Sequence, residues 1–319
     1  MNRIKTVIII GGVVGVLSLL FYGFSSIDKE TELSKDSVLF NEKYFITPVK
    51  IPDKVYFAGE KVPIENFDTY ESLDREMLIN TYWQSQTLIF IKKAHRYFPV
   101  IEPILKEAGV PVDLKYIAVA ESGLANVVSP SNAAGFWQFM KGAAQDYKLE
   151  VNGEVDERYH LEKATFAAAN FLKDSYKKYG SWALAAASYN MGRRNISKQI
   201  EKQKSNNYYD LVLGDETGRY VFRLIALKLI LESPEEYGFT VGEHEKYPEI
   251  PFRIEIIDST INSIPDFAHS MGINYKVLKE LNPWLRENRL TNKYKKTYQI
   301  KIASKKYRTI QPNKNFYGE

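Results

Sequence analysis

The chain has no cysteine in its 319 residues. That absence excludes disulfides, thiolate metal sites, a cysteine nucleophile and a lipid-modified N-terminal cysteine. It leaves the redox compartment open, because an exported protein need not carry disulfides. Histidine is nearly as scarce: the four residues are scattered and form no His-x-x-x-His pair, so no motif for a metal-dependent hydrolase is present and no metal or other cofactor is expected. A dominant charge of one sign is also lacking. The formal net charge of +4 is small for this length and comes without a concentrated basic patch, so nothing calls for nucleic acid as a partner. Internal repeats and low-complexity tracts are absent too. Hydrophobic residues at 45% and charged residues at 26% permit a sizeable core and a wetted surface, as in a globular chain of one or two domains with appendages.

Charge is missing altogether from residues 6–27, which follow Arg3 and Lys5. Roughly 20 apolar residues match the thickness of a hydrocarbon core, and the preceding cations favour a cytoplasmic N-terminus. Residues 1–27 therefore read as a transmembrane anchor in the inner membrane, with the rest of the chain in the periplasm or on the outer face. A cleaved signal peptide ending near Ser25 and Ser26 is the alternative; either way the remaining chain is exported. Residues 28–70 read as a tether leading into an arm punctuated by Pro48, Pro52, Gly59 and Pro63.

From residue 71 to about 240 the pattern is helical, and the fold class expected is mainly α. A first segment runs to about Phe98, before Pro99 and Pro103, and a second covers residues 101–108. A helix over residues 113–122 is expected with Asp113 as its cap and Gly123 as its stop. Further helices are expected over 165–179, 182–191 and 217–231, the last with Tyr220, Leu224, Leu227 and Leu231 at helical spacing. After Pro251 the texture changes. Phe252, Ile254 and Ile256 alternate with Arg253 and Glu255, two short helices follow from Ser263 and Asn274, and Tyr298, Ile300 and Ile302 alternate again. Residues 250–304 thus form a small βααβ module, with a tail at 305–319.

The chemistry is concentrated in three segments. Leu114, Ile117 and Ala118 form the apolar stripe of the 113–122 helix, and the next position of that stripe is Glu121. Carboxylates are rarely buried without a partner or a purpose. Burial and the negative end of the helix dipole both disfavour its charge. A carboxyl that keeps its proton near neutral pH can protonate the leaving oxygen of a glycosidic bond; the bland alternative is a Glu reaching solvent past a helix end. The second segment, residues 122–138, holds no acidic residue. Gly135 there allows close backbone approach, Phe136, Trp137 and Phe139 offer flat apolar surface, and Gln138 can donate and accept toward sugar hydroxyls. The third, residues 185–192, packs alanines and then presents Tyr189 and Asn190, whose polar groups need partners.

The Glu121-Ser122 pair, the Gly135-x-x-Gln138 block and the Tyr189-Asn190 pair occur in this order. Together they resemble the signature of the family 1 lytic transglycosylases, glycoside hydrolase family 23, and within it the membrane-bound murein transglycosylase D group. The resemblance covers about residues 75–235. It implies a lysozyme-like helical catalytic domain over 71–240 that acts on the glycan strands of peptidoglycan. Glu121 is implied to be the single catalytic acid/base, with Ser129, Gln138 and Met140 in glycan contact and Tyr189 and Asn190 beside the acid. Residues 215–220 resemble the family's Glu-Thr-x-x-Tyr block, which implies that Glu216 and Tyr220 lie near the saccharide. Phe136-Trp137 replaces the usual Leu-Met, and Ser188 the usual Ala. The C-terminal module resembles a LysM glycan-binding unit without a clean Gly-Asp-Thr opening.

The implied reaction breaks the β-1,4 bond between N-acetylmuramic acid and N-acetylglucosamine and closes a 1,6-anhydro ring without water. Two rivals remain at this level. A goose-lysozyme-like hydrolase would need a second carboxylate, for which Asp146, Glu150 and Asp156 are candidates. A non-catalytic peptidoglycan-binding scaffold would not need Glu121.

Overall fold

The computed structural model describes residues 46–304. The expected anchor at 6–27, the start of the tether and the tail at 305–319 lie outside the described residues. Among the described residues, no helix is long and apolar enough to cross a membrane.

Where the sequence suggests an extended arm, the chain forms a hairpin. Strands β1 (Val55–Phe57) and β2 (Glu60–Val62) pair antiparallel around Ala58 and Gly59, whose φ angles are 53° and 80°. Two successive left-handed residues are what a two-residue hairpin turn requires. Val55, Phe57 and Val62 face inward and are buried, so the hairpin belongs to the core.

Ten α-helices follow among the described residues. Helix α1 (Phe67–Tyr82) breaks at Trp83, and α2 (Gln84–Glu107) runs on without interruption through Pro99 and Pro103. The sequence pattern suggests a stop there, since an interior proline costs a helix about 3 kcal/mol. Tertiary packing overrides it: Ile101, Ile104 and Leu105 are buried, and Phe98 meets Tyr116 edge-on at 5.7 Å. A short 3-10 turn, Val112–Lys115, then leads into α3 (Tyr116–Ser122). Asp113 does not cap that helix. Its Oδ2 instead accepts the Ala58 N–H at 2.8 Å, and its Oδ1 faces Lys228 at 3.6 Å, tying the hairpin to the bundle. The stripe of Leu114, Ile117 and Ala118 is fully buried, and Gly123 ends α3 in the left-handed conformation.

Helices α4 (Lys141–Asp146), α5 (Leu161–Tyr179), α6 (Trp182–Met191), α7 (Arg193–Gln203) and α8 (Asp215–Glu232) complete the bundle. Helix α6 is its spine. Residues 183–188 are almost inaccessible on every side, as expected of a helix apolar all round, and its alanines let α5 and α8 approach closely. Its N-terminus is capped twice. Ser181 accepts the Leu184 N–H, while the Glu60 carboxylate accepts the N–H groups of Trp182 at 2.6 Å and Ala183 at 3.1 Å. An anion there satisfies free donors and complements the helix dipole.

The C-terminal part has the strand-helix-helix-strand order read from the sequence. Strand β3 (Phe252–Ile257) pairs antiparallel with β4 (Tyr298–Ala303), and α9 (Ile264–Ser270) and α10 (Tyr275–Leu281) are capped by Ser263 and Asn274. The inward face is β4's: Tyr298, Ile300 and Ile302 are buried, while Phe252, Ile254 and Ile256 of β3 are 42%, 41% and 57% exposed. The module shares a core with the bundle, in which Ala134, Val155 and Tyr159 join Ile264, Leu278 and Trp284. The Asp156 N–H donates to the Trp284 carbonyl at 2.9 Å and the Arg286 N–H to the Glu154 carbonyl at 2.8 Å. Lys301 reaches Glu162 at 2.5 Å.

Candidate active site

Glu121 occupies the last turn of α3, on the inward stripe, and is half-buried. Tyr220 of α8, fully buried, donates its hydroxyl to Glu121 Oε1 at 2.6 Å. Burial pushes the Glu121 carboxyl up to about 6. The Tyr220 hydrogen bond and the Arg223 charge pull it down, and the Glu216 charge adds to the rise. The carboxyl is therefore divided between its two protonation states near neutral pH, which suits a group that must first give and then take a proton.

Tyr189, at the end of α6, stands close enough for the Glu121 charge to act on it. Burial first, and that charge second, keep its hydroxyl protonated. It donates to the Trp137 carbonyl at 2.7 Å, and its ring packs against Phe139 and Phe171. Asn190 accepts a hydrogen bond from the Thr217 hydroxyl at 2.6 Å. The two polar groups of this pair thus find partners within the protein: one anchors the 127–139 segment and the other anchors α8.

That segment is a tight hairpin with bridges from Ala134 to Val128 and to Phe139. Ser129 accepts the Ala133 N–H on its hydroxyl, which makes it a turn cap. Gln138 adopts φ 47°, and its amide nitrogen donates to the carbonyls of Val127 and Gly135 at 3.0 and 2.8 Å. Its carbonyl oxygen is the end left to meet a ligand. Phe136, Trp137 and Phe139 do not form an open apolar surface: all three are buried, and Trp137 donates its indole N–H to Thr165 at 2.9 Å. They root the hairpin in the core. At Gly135, φ is +82° and a β-carbon would sit 1.9 Å from the Arg158 carbonyl, so the close approach expected there is to the protein's own backbone.

Met140 is exposed at the start of α4, and Glu216 is exposed in the first turn of α8, bonded to Arg223 at 3.1 Å. The site therefore gathers Glu121, Tyr189, Tyr220 and the hairpin bearing Gln138, with Ser129 and Met140 along the hairpin's outer parts. Of the carboxylates considered as a second catalytic group, Asp156 is bound to Arg158 at 2.7 Å and Glu150 is bound to Lys296 and Tyr298. Asp146 is exposed at the end of α4. The carboxylate whose charge bears on Glu121 is Glu216. Among the described residues, no group of three or more potential ligands is assembled that could hold a metal ion.

Three further residues support the site, and two of them, Arg158 and Glu76, belong to no sequence motif. Ser122 donates its hydroxyl toward the Ala118 and Phe136 carbonyls, both at 2.9 Å, which joins the end of α3 to the hairpin. Arg158 donates to the carbonyls of Asn132 and Phe139 and so clamps both arms of the hairpin. Glu76, buried on α1, pairs with Arg219 at 2.7 Å and Arg223 at 3.6 Å and fixes the turn of α8 that carries Tyr220. Only Ser122 has a sequence cue, its place beside Glu121.

Residues 98–212 match the model of the transglycosylase SLT domain, and residues 253–306 match the soluble lytic transglycosylase C-terminal LysM-like domain. The chain carries an SLT domain followed by a LysM-like domain. Glu121, the hairpin and the Tyr189-Asn190 pair fall inside the SLT match, while Glu216 and Tyr220 lie just beyond it. Membrane-bound lytic murein transglycosylase D of Escherichia coli strain K12 is 29% identical over 243 residues, which are 73% of this chain and 52% of that protein. The same protein from the O6:H1 strain of Escherichia coli matches with the same identity and coverage. The chain spans about half the length of the curated relatives it matches.

Proposed function

We propose that this protein is a peptidoglycan lytic transglycosylase in which Glu121 alone serves as acid and then base. The observation that carries the reading is the half-buried Glu121 carboxyl, raised to about 6 and held by Tyr220 beside the Gln138 hairpin. Protonated Glu121 gives its proton to the bridging oxygen as the bond from that oxygen to the muramoyl C1 breaks. The oxocarbenium-like centre left at C1 is attacked by the sugar's own C6 hydroxyl, and Glu121, now a carboxylate, removes that hydroxyl's proton. A 1,6-anhydro ring results. In this reading Tyr220 and Tyr189 steady the acid, Asn190 holds the adjoining helix, and the Gln138 carbonyl accepts from a sugar. Ser129, Met140 and Glu216 edge the groove.

The curated relatives are named as membrane-bound murein transglycosylases, which supports placing this chain in the cell envelope. We take residues 6–27 as its anchor, residues 71–240 as the catalytic domain and residues 250–304 as a glycan-binding module. Digestion of purified peptidoglycan followed by mass spectrometry tests the reaction. Anhydro products, one water lighter than hydrolysed ones and lost in Glu121→Gln, are expected. Hydrolysed products would instead assign water activation to a second carboxylate, with Glu216 the first to test. Retention of the protein in washed membranes, abolished by deletion of 6–27, tests the anchor.

A further inference from the structure

A cavity of about 770 Å³ lies between the SLT and LysM-like domains. None of Glu121, Gln138, Tyr189 or Tyr220 lines it, yet its wall includes residues 124–126, just beyond the helix that carries Glu121, and Phe136 of the hairpin. Six cationic side chains and three carboxylates line the cavity, an excess of positive charge. One of the cations is already neutralised, since Lys301 pairs with Glu162.

Four of the others are differently placed. Lys93 donates to the Gly123 carbonyl at 2.8 Å, Arg96 to the Pro248 carbonyl at 2.8 Å, Arg286 to the Pro283 carbonyl at 2.9 Å, and Lys279 to the Leu285 carbonyl. Each gives its hydrogen bond to a backbone carbonyl and not to a carboxylate. A carbonyl satisfies a donor without cancelling its charge, so the cavity holds cations with unspent electrostatic demand. Burial lowers the proton affinity of both lysines, and the nearby Arg286 charge lowers that of Lys279 further, against a smaller opposing effect of Glu287. Aromatic walls complete the cavity, with Tyr97, Tyr247, Tyr275 and Trp284 among its lining. Such walls suit an organic anion better than a free inorganic one.

We infer that this interdomain cavity binds the carboxylate-bearing peptide branches of the substrate strand, so that the two domains together read peptide as well as sugar. The inference rests on the peptidoglycan reading above. Where the muramoyl lactyl carboxyls are taken up in amide bonds to peptide, the sugar backbone itself carries no charge and has no use for the charge excess, whereas the peptide branches end in free carboxylates. A strand crossing Glu121 would bring a branch to the wall formed by residues 124–126.

Calorimetry on full-length Glu121→Gln protein tests this, comparing a peptide-bearing glycan strand with the same strand stripped of peptide and its freed lactyl carboxyls capped as amides, and with a peptide-bearing strand whose carboxylates are amidated. The peptide-bearing strand should bind about tenfold more tightly than either of the other two, with the advantage shrinking at high salt, as for a pair of charge-assisted contacts. Arg96→Gln combined with Lys279→Gln should erase most of that advantage and leave affinity for the stripped strand unchanged. Equal affinity for all three strands would overturn the inference, and that comparison needs no altered cavity. An advantage that survives amidation, or survives the double substitution in a folded protein, would overturn it as well. Cleavage by the unsubstituted chain is measured separately, so failure of the transglycosylase reading and failure of this one are told apart.

Discussion

Replacing Glu121 by Gln is expected to abolish cleavage and to stabilise the fold at alkaline pH. The carboxyl is raised from its ordinary 4.5 to about 6 in the folded chain. A tenfold change in proton affinity corresponds to about 1.4 kcal/mol of difference between the two protonation states, so the ionised form costs the fold about 2 kcal/mol. Because the folded chain binds this proton more tightly than the unfolded chain, the associated stability is fully present below about 4.5. It is lost as the pH rises through about 6. Glutamine has nearly the same shape and does not titrate. The stability of Glu121→Gln relative to the unsubstituted protein should therefore grow by about 2 kcal/mol between pH 4 and pH 8. That corresponds to a change of roughly 4–8 °C in the difference between their Tm values for a chain of this size. Urea titrations of both proteins at the two pH values, with m unchanged, provide the measurement. A stability difference that stays constant with pH, or moves the other way, would show that the carboxyl is not sheltered and would remove the basis for its role as an acid.

Three further outcomes follow from the same geometry. Tyr220→Phe removes a hydrogen bond that holds the Glu121 carboxyl down, so the alkaline limb of the pH profile of kcat/KM, near pH 6 in the unsubstituted protein, should move upward; a limb that stays put or moves down refutes the assignment. Gly135→Ala forces a β-carbon into the Arg158 carbonyl and must displace the Gln138 hairpin, with a loss of about a hundredfold or more in kcat/KM while helical circular dichroism is kept. Glu60→Ala strips the α6 N-terminus of its carboxylate and should cost about 1–3 kcal/mol by urea denaturation, with the shape of the pH profile unchanged.

Much of this is legible in the residues because local chemistry decides it. The limits of α6, the left-handed stop at Gly123, and the caps at Ser263 and Asn274 all agree with the structure. Glu121 can be singled out because it continues an apolar stripe that is in fact buried. What escapes is set by contacts distant in sequence. Pro99 and Pro103 sit inside a helix because the faces of α2 pack well enough to tolerate them. Asp113 serves the hairpin at Ala58 instead of its own helix. The aromatic run at 136–139 looks like a sugar platform, but burial of all three rings is decided by the neighbouring α5 and α6, which periodicity over four residues cannot show.

The residues alone do not show how the LysM-like domain relates to the site. In the folded chain it grips the segment 150–162, which also holds the hairpin. Asp156 gives its N–H to Trp284 on one side and its carboxylate to Arg158 on the other, and Arg158 clamps the hairpin through the carbonyls of Asn132 and Phe139. Ala134 of the hairpin lies in the same apolar cluster as Trp284 and Leu278. A group that must sit within a fraction of an ångström of a sugar is better held by a two-sided support than by a loop open to solvent on one side. The LysM-like domain and the hairpin are thus one mechanical unit, joined at Asp156 and Arg158.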